Sequence, residues 1–161
     1  MNIVPLPKYT KNWCVDVFSN DGLNDLIRYF SLWTITKSKF PRNNTLSLSI
    51  YNTSNSKMQF LNSKYRNKNE ATNVLAFSSS SMPFEIHSHH LLGEIFFSSQ
   101  KINDEANILQ KKASNHLAHL IIHSTLHLLG YHHDDDEQKM KMQQKEIDIL
   151  KIFEIDNPYC S

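Results

Sequence analysis

The stretch that decides the fold and the chemistry of this chain runs from Ile121 to His133 and reads IIHSTLHLLGYHH. Its spacing allows one metal ion to bind three histidines, His123, His127 and His133. The first two are four residues apart, which places both on one face of a helix. Gly130 can end that helix, because glycine tolerates the left-handed conformation of a helix C-terminus, and the chain can then turn back with His133. Three imidazoles with one coordination position left open are typical of a catalytic zinc site.

Other histidines of the chain are alternatives to this set. His132 competes with His133 as the third ligand, but His133 fits the spacing His-x3-His-x2-Gly-x2-His better, and we assign it. His119 lies four residues before His123 on the predicted helix, so we expect it on the surface or in contact with a ligand rather than with the metal. A Ser-rich segment carries three more, which we predict to lie in a solvated loop: His87, His89 and His90.

The residue after the first histidine separates two kinds of hydrolase. The long zinc-binding helices of metalloproteases have a glutamate there as general base. This chain has Ser124 instead, which argues against peptide hydrolysis by that route. Zinc lowers the pKa of a bound water from about 15.7 to about 7, so hydrolysis of another substrate remains compatible with the missing glutamate.

Composition limits the class of protein. The chain has 161 residues, the length of one domain, and 40% of them are hydrophobic. It lacks both an apolar run of about 20 residues and a signal peptide, so we expect a cytoplasmic protein that does not bind a membrane. The two cysteines, Cys14 and Cys160, have no zinc-ligand spacing, and we expect no disulfide between them. The net charge is only +1, although the basic residues concentrate before residue 90, which is weak evidence for an anionic partner.

Hydrophobic periodicity predicts an alternation of strands and helices. Within the fourth strand, Gly93 suggests a close approach of two backbones, and Glu94 is unusual in so apolar a segment. The predicted strands span 13–18, 45–51, 73–77 and 91–97. The first predicted helix spans about 21–34, and the last spans about 135–153, where the apolar residues are Met140, Ile147, Leu150 and Phe153. Between them we predict a short helix marked by Met58, Leu61 and Tyr65, and another marked by Ile102, Ala106 and Leu109. The helix that carries His123 and His127 completes the set.

Three blocks of the sequence together resemble the YbeY family of bacterial endoribonucleases and rRNA maturation factors. The first runs from Leu61 to Phe77 and reads LNSKYRNKNEATNVLAF, and the second runs from Leu92 to Ile95 and reads LGEI. The third is the segment from His116 to His133, with Asn157-Pro158-Tyr159 closing the chain. The blocks are collinear with the family pattern and cover nearly everything after residue 44.

The resemblance implies a single compact α+β domain over 1–161, with a mixed sheet of about four strands, helices packed around it, and a metal site on a helix and the following turn. It implies one zinc ion on His123, His127 and His133, and a role for Arg66 at the active site. It also implies action on ribosomal RNA in small-subunit maturation and quality control, including processing of the 3′ end. The implied partners are the small ribosomal subunit and an Era-type GTPase.

The chain departs from the family pattern at three positions around the site. Ser124 replaces a glycine, His132 replaces an aspartate, and Glu94 lengthens the aspartate of the strand block. None of the three is a predicted ligand. Two of them, Glu94 and His132, form with His119 the set that we expect near the ligands.

The resulting hypothesis is zinc-dependent hydrolysis of a single-stranded RNA phosphodiester, with Arg66 and His123 as catalytic residues. Arg66 would hold a non-bridging oxygen, because a guanidinium matches phosphate in bidentate fashion. Lys64 and Lys68 would position the RNA backbone without reading its sequence. The alternative for Arg66 is a surface ion pair with Glu70.

Two other functions stay open on the sequence alone. One is a metallo-hydrolase of another substrate such as peptide. The other is a non-catalytic ribosome-assembly factor that zinc only stabilises. A fourth protein ligand would indicate the structural role, since catalytic zinc sites keep a position open.

Overall fold

A computed structural model describes residues 5–7, 12–20, 22–41, 44–79 and 89–160, the side chains of residues 89 and 90 excepted. Most of the Ser-rich segment with His87 therefore lies outside the described residues. The backbone of His89 and His90 begins a strand, so the predicted loop is wrong at these two residues, whose side chains are not described. The elements in chain order are β1 Trp13–Phe18, α1 Asn24–Lys37, β2 Thr45–Asn52, α2 Asn55–Arg66, β3 Val74–Ser78, β4 His89–Phe97, α3 Ser99–Ile108, α4 Ala113–Leu128 and α5 Asp136–Ile152.

The four strands form one mixed sheet in the order β1-β2-β4-β3. β1 and β2 are parallel, as are β2 and β4, whereas β3 runs antiparallel to β4. β4 is thus an interior strand, in keeping with its almost uniformly apolar sequence. The predicted fold, a compact α+β domain with a four-stranded mixed sheet, is confirmed.

One face of the sheet carries the main hydrophobic core. β2 alternates strictly, and its buried side chains Leu46, Leu48 and Ile50 point to this face with Ile95 and Phe97 of β4. α1 packs against β1, α4 packs against β3 and β4, and α1, α4 and α5 pack against one another around this core. α4 lies at the centre of the packing, because it contacts three helices, α1, α3 and α5, and two strands, β3 and β4.

The opposite face of the sheet is covered by α2 along the β3 side. Leu75 and Phe96 are cross-strand partners, and Phe96 points away from the face that Ile95 and Phe97 occupy. Met58 and Leu61 of α2 bury themselves against Leu75 in a second, smaller core. α2 lies over the edge strand β3 on one face of the sheet, and α4 lies on the opposite face. β3 therefore forms one wall of a cleft between the two helices.

Gly93 is the point of closest approach between β4 and β3. Its φ is +145°, and a Cβ at this position would lie 2.1 Å from the carbonyl oxygen of Phe77. The predicted close backbone approach is confirmed. The residue also adjoins the irregularity between β2 and β4 at Ser47 and Leu48.

We expect Gly93→Ala to lower the free energy of unfolding by about 2–4 kcal/mol, because the methyl group must push two paired backbones apart at a φ that alanine rarely adopts. Gly22→Ala is the matched control, since Gly22 also has a positive φ (77°) but open space around it. That control should cost only about 1 kcal/mol. Thermal or urea unfolding of both variants measures the difference, and equal losses would contradict the steric explanation.

The remaining predictions about chain class can be compared with the described residues. No helix in this part of the chain is long and apolar enough to cross a membrane. Cys14 and Cys160 are both exposed and free of a disulfide.

Candidate metal centre

α4 and the turn after it build the centre from local sequence signals. The helix buries Ile121, Ile122, Thr125 and Leu126 in the core, and two of its histidines, His123 and His127, line the cleft. After Leu128 the chain reverses through a glycine at φ +99°. Backbone hydrogen bonds join Gly130 N to His127 O and Tyr131 N to Leu126 O, the pattern of a Schellman C-terminus. This turn carries His133 back beside the last turn of the helix.

The structure brings the three predicted ligands together. His123, His127 and His133 each offer one ring nitrogen, and these atoms all lie within 4.8 Å of one another. The Nε2 atoms of His127 and His133 are 3.1 Å apart. A tetrahedral zinc with Zn–N distances of 2.0–2.1 Å holds its ligand atoms about 3.3 Å apart, so the group fits such an ion with small adjustments. No fourth residue joins this group in the portion of the chain that the structure describes.

Hydrogen bonds on the far side of two rings orient the ligand nitrogens. His127 donates from Nδ1 to the carbonyl oxygen of Tyr131, at 3.1 Å. His123 places its Nδ1 against a carboxylate oxygen of Glu146. In both rings Nδ1 is occupied, so Nε2 remains for a metal, the arrangement usual for metal-binding histidines.

The electrostatics of the group favour a neutral imidazole at His127. Burial lowers the pKa of His127 from its ordinary value of 6.5, and positive charge on His123 or His133 lowers it further. Because the folded pKa is below the unfolded one, protonation favours the unfolded chain, and stability falls as the pH drops from about 6.5 through the lowered pKa. Metal binding should fall over the same range, since a protonated imidazole cannot be a ligand.

We therefore expect bound metal to be retained above pH 7 and released on acidification below about pH 6.5. Dialysis across a pH series followed by metal analysis measures the release. A zinc affinity that is the same at pH 7 and at pH 5 would contradict ligation by the histidines. A circular dichroism spectrum at each pH separates release by protonation from release by unfolding.

Glu146 is the residue of the site that the sequence analysis missed. It lies on α5, its side chain is 0% exposed, and it contacts His119, His123 and Tyr159. Burial by itself would raise the pKa of the carboxyl, but the hydrogen bonds from these three residues outweigh it and hold the pKa at about 2. Burial and the hydrogen bond that its hydroxyl donates to Glu146 raise the pKa of Tyr159 well above its ordinary value. A carboxylate that is charged at neutral pH thus fixes the orientation of His123, a predicted metal ligand, from the side away from the other two histidines.

Glu146→Gln should weaken metal binding by about 10- to 100-fold, the usual effect of losing a carboxylate that supports a ligating histidine. The amide keeps the size of the side chain but removes its charge and one acceptor. The matched control is Glu137→Gln on the same helix, where the carboxylate is exposed and pairs with Lys141. Isothermal titration with zinc compares the two variants, and equal affinities would remove Glu146 from the support of His123.

A cleft of about 910 Å³ opens beside the histidines. Two of them, His123 and His127, line it together with Arg66 and Glu94. Arg66 donates from Nη2 to the carbonyl oxygen of Ala76, which uses one of the five N–H groups of the guanidinium. The cleft therefore joins two of the three potential metal ligands to a cation that still has donors for an anionic substrate.

The other residues named from the sequence occupy distinct places. Ser124 is buried in the wall of the cleft. The alternative role of Arg66, an ion pair with Glu70, does not occur within the described ranges. His132 is exposed, with its ring 6.3 Å from that of His127, outside the group of three. The structure places His119 beside Glu146 and Tyr159, with its ring 6.4 Å from that of His123. Lys64 and Lys68 lie exposed on and just after α2, outside the lining of the cleft.

The fold and the site define a small α+β protein with a group of three histidines that could hold a metal ion beside a cleft. The family model described as Endoribonuclease YbeY matches residues 13–154. Two curated proteins named Endoribonuclease YbeY are similar to the chain. The one from Buchnera aphidicola subsp. Cinara cedri is 43% identical over 82% of this chain and 83% of its own, and the one from Alteromonas mediterranea is 40% identical over 80% of each. The chain belongs to the YbeY endoribonuclease family.

A solved structure agrees with this fold. The solution structure of TM1509 from Thermotoga maritima matches with a TM-score of 0.59 at 18% identity, over 92% of this chain and 99% of that one. At this identity the likeness concerns the fold alone.

Proposed function

We propose that the protein is a zinc-dependent endoribonuclease that cuts single-stranded ribosomal RNA during maturation of the small ribosomal subunit, including its 3′ end. The observation that carries the proposal is the joining, in one cleft, of a three-histidine group and a guanidinium. The family to which the chain belongs supports RNA as the substrate.

The donor set favours zinc over other ions. Three imidazole nitrogens with no carboxylate among them suit a borderline-soft ion, whereas magnesium and calcium prefer oxygen ligands. Three protein ligands rather than four are typical of catalytic sites. This argues against a zinc ion that only stabilises a ribosome-assembly factor. An ion bound there would supply Lewis-acid polarisation of a phosphoryl oxygen and a water of lowered pKa.

The side chains of the chain itself divide the remaining tasks. Arg66 binds a non-bridging phosphate oxygen and keeps the scissile group in the cleft, and it stays charged at every physiological pH. His127 and His133 hold the ion together with His123, which Glu146 orients. Ser124 offers no carboxylate where metalloproteases have their general base, so a peptide substrate is disfavoured.

The partners that we propose are those that the resemblance to the YbeY family implies. They are ribosomal RNA, the small ribosomal subunit and an Era-type GTPase, and the reaction would take place in the cytoplasm. The exposed lysines Lys64 and Lys68 lie outside the lining of the cleft, where they can contact the RNA backbone away from the scissile phosphate.

Incubation of the metal-loaded protein with immature small-subunit particles tests the proposal. We expect new 3′ ends within the precursor sequence, mapped by primer ligation and sequencing. Heat-denatured protein and a sample with excess chelator serve as controls. Intact precursor RNA after incubation with metal-loaded protein, with and without added GTPase, would contradict the proposed function.

A further inference from the structure

Two large aromatic side chains of α2 are more than half exposed, and they define what we call the outer face of this helix. Phe60 is 55% exposed and lies on the side away from the buried Met58 and Leu61. Tyr65 follows Leu61 by four residues, at the C-terminal end of the helix, and is 54% exposed. A single ammonium lies between the two rings: the Nζ of Lys64 is 5.8 Å from the ring centroid of Phe60 and 5.2 Å from that of Tyr65. Rings and cations thus alternate along this helix.

This row is continuous with the cleft. Tyr65 makes an edge contact with Phe77, at 5.2 Å between ring centroids, and the guanidinium of Arg66 lies 5.5 Å from the ring of Phe77. At the far end, the Nζ of Lys57 lies 5.7 Å from the ring of Phe60. A helical rise of 1.5 Å per residue puts Phe60 about 9 Å from Arg66 along the axis. A strand that leaves the cleft past Arg66 therefore meets Tyr65 first and Phe60 next.

The charge of this surface has one sign. α2 contains Lys57, Lys64 and Arg66 and has no aspartate or glutamate, and Lys68 follows directly after it. None of these four cations forms an ion pair with any of the residues that the structure describes. An anionic partner with flat apolar groups complements the surface better than a neutral apolar one does.

We propose that the outer face of α2 is a nucleobase-binding subsite for the RNA strand that leaves the cleft. In this subsite unpaired bases stack on Tyr65 and Phe60, and Lys57 and Lys64 contact the phosphates between them. The arrangement of aromatic rings beside cations is the one that binds single-stranded nucleic acid without reading its sequence. This inference rests on the proposed function. The outer face of α2 would bind the part of the RNA strand that lies beyond the scissile phosphate.

Binding of a single-stranded RNA to the metal-loaded protein tests the subsite, with fluorescence anisotropy as the readout and a gel to verify that the strand stays intact. Phe60→Ala should weaken binding about 10-fold, since stacking on one ring contributes at that scale. Phe60→Trp should keep the affinity because it keeps a π face. Ile108→Ala is the matched control: Ile108 is a large apolar side chain, 81% exposed on another helix, and its loss should change nothing.

Two further measurements separate stacking from charge. On a ribose-phosphate strand with abasic positions, Phe60→Ala should bind as wild type does, because no base is present to stack. Lys57→Gln should lower the slope of log affinity against log salt by about 0.7, the value for one phosphate contact on a single strand.

The outcomes distinguish the subsite from the proposed function. If wild type binds and cuts RNA but Phe60→Ala binds it equally well, the subsite is overturned and the ring is free for a protein contact instead. If wild type neither binds nor cuts RNA, the proposed function falls and the subsite falls with it. Weakening by Phe60→Ala that is equal on normal and abasic strands would also overturn stacking.

Discussion

His127→Ala is expected to lose bound metal and RNA cleavage together. His127 lies between the other two ligands, and its Nε2 atom is 3.1 Å from that of His133. The two remaining imidazoles are one fewer than the three protein ligands of a catalytic zinc site. Occupancy at micromolar metal should therefore drop by at least 10-fold and the cleavage rate by about 1,000-fold or more. Metal analysis by mass spectrometry and a cleavage assay on the same preparation measure both losses.

His132→Ala is the matched control for this variant. His132 neighbours the third ligand in sequence, but it is exposed and lies outside the group of three. It should keep metal and cleavage close to wild type. Loss of metal in His132→Ala with retention in His133→Ala would reverse our choice of the third ligand, and metal-independent cleavage by His127→Ala would end the metal mechanism.

Arg66→Glu is expected to keep its metal and to lose RNA cleavage by about 100- to 1,000-fold. The substitution removes a phosphate ligand from the cleft and puts a like charge against the scissile group. The hydrogen bond to Ala76 is lost as well, but Arg66 is exposed, so the free energy of unfolding should change by less than about 1 kcal/mol. Zinc titration, thermal unfolding and cleavage on one preparation separate the three effects.

Arg28→Glu controls for the change in net charge. Arg28 is an exposed arginine of α1 that pairs with Asp25 and does not line the cleft. It should cut RNA at the rate of wild type. An equal loss of cleavage in both variants would assign the effect to overall charge, and normal cleavage by Arg66→Glu would remove Arg66 from the site.

The parts of the fold that were predictable are those with a local cause. The alternation in β2 identifies its buried face, and the four-residue spacing of His123 and His127 places both on one side of α4. Gly130 marks the end of that helix because only a positive φ allows the turn that returns the chain. These signals lie within a few residues of one another, so no knowledge of the tertiary structure is needed to interpret them.

Glu146 was not predictable in the same way, because its partners are far away in the sequence. The apolar pattern of α5 was assigned partly from Met140, which is in fact 70% exposed, so that part of the prediction was wrong. The buried face is formed by Met142, Glu146, Ile149 and Leu150. A glutamate at a core position of this helix is itself a signal, but a search for apolar periodicity passes over it.

Tyr65 illustrates a second limit. Its spacing from Met58 and Leu61 suggested the buried side of α2, yet it is more than half exposed, as is Leu109 after α3. In both cases the end of a short helix turns the side chain away from the core. The same exposure of Tyr65 is what makes the outer face of α2 a candidate surface for RNA bases.

The most direct test of the account is to restore metal stepwise to chelator-treated protein and to follow cleavage of precursor small-subunit RNA. We predict that cleavage is absent without metal, rises in proportion to bound zinc, and saturates at one zinc ion per chain. His127→Ala, treated identically, should bind no zinc in this range and remain inactive. Full cleavage by the metal-free protein, or zinc binding at one ion per chain without any cleavage, would contradict the account.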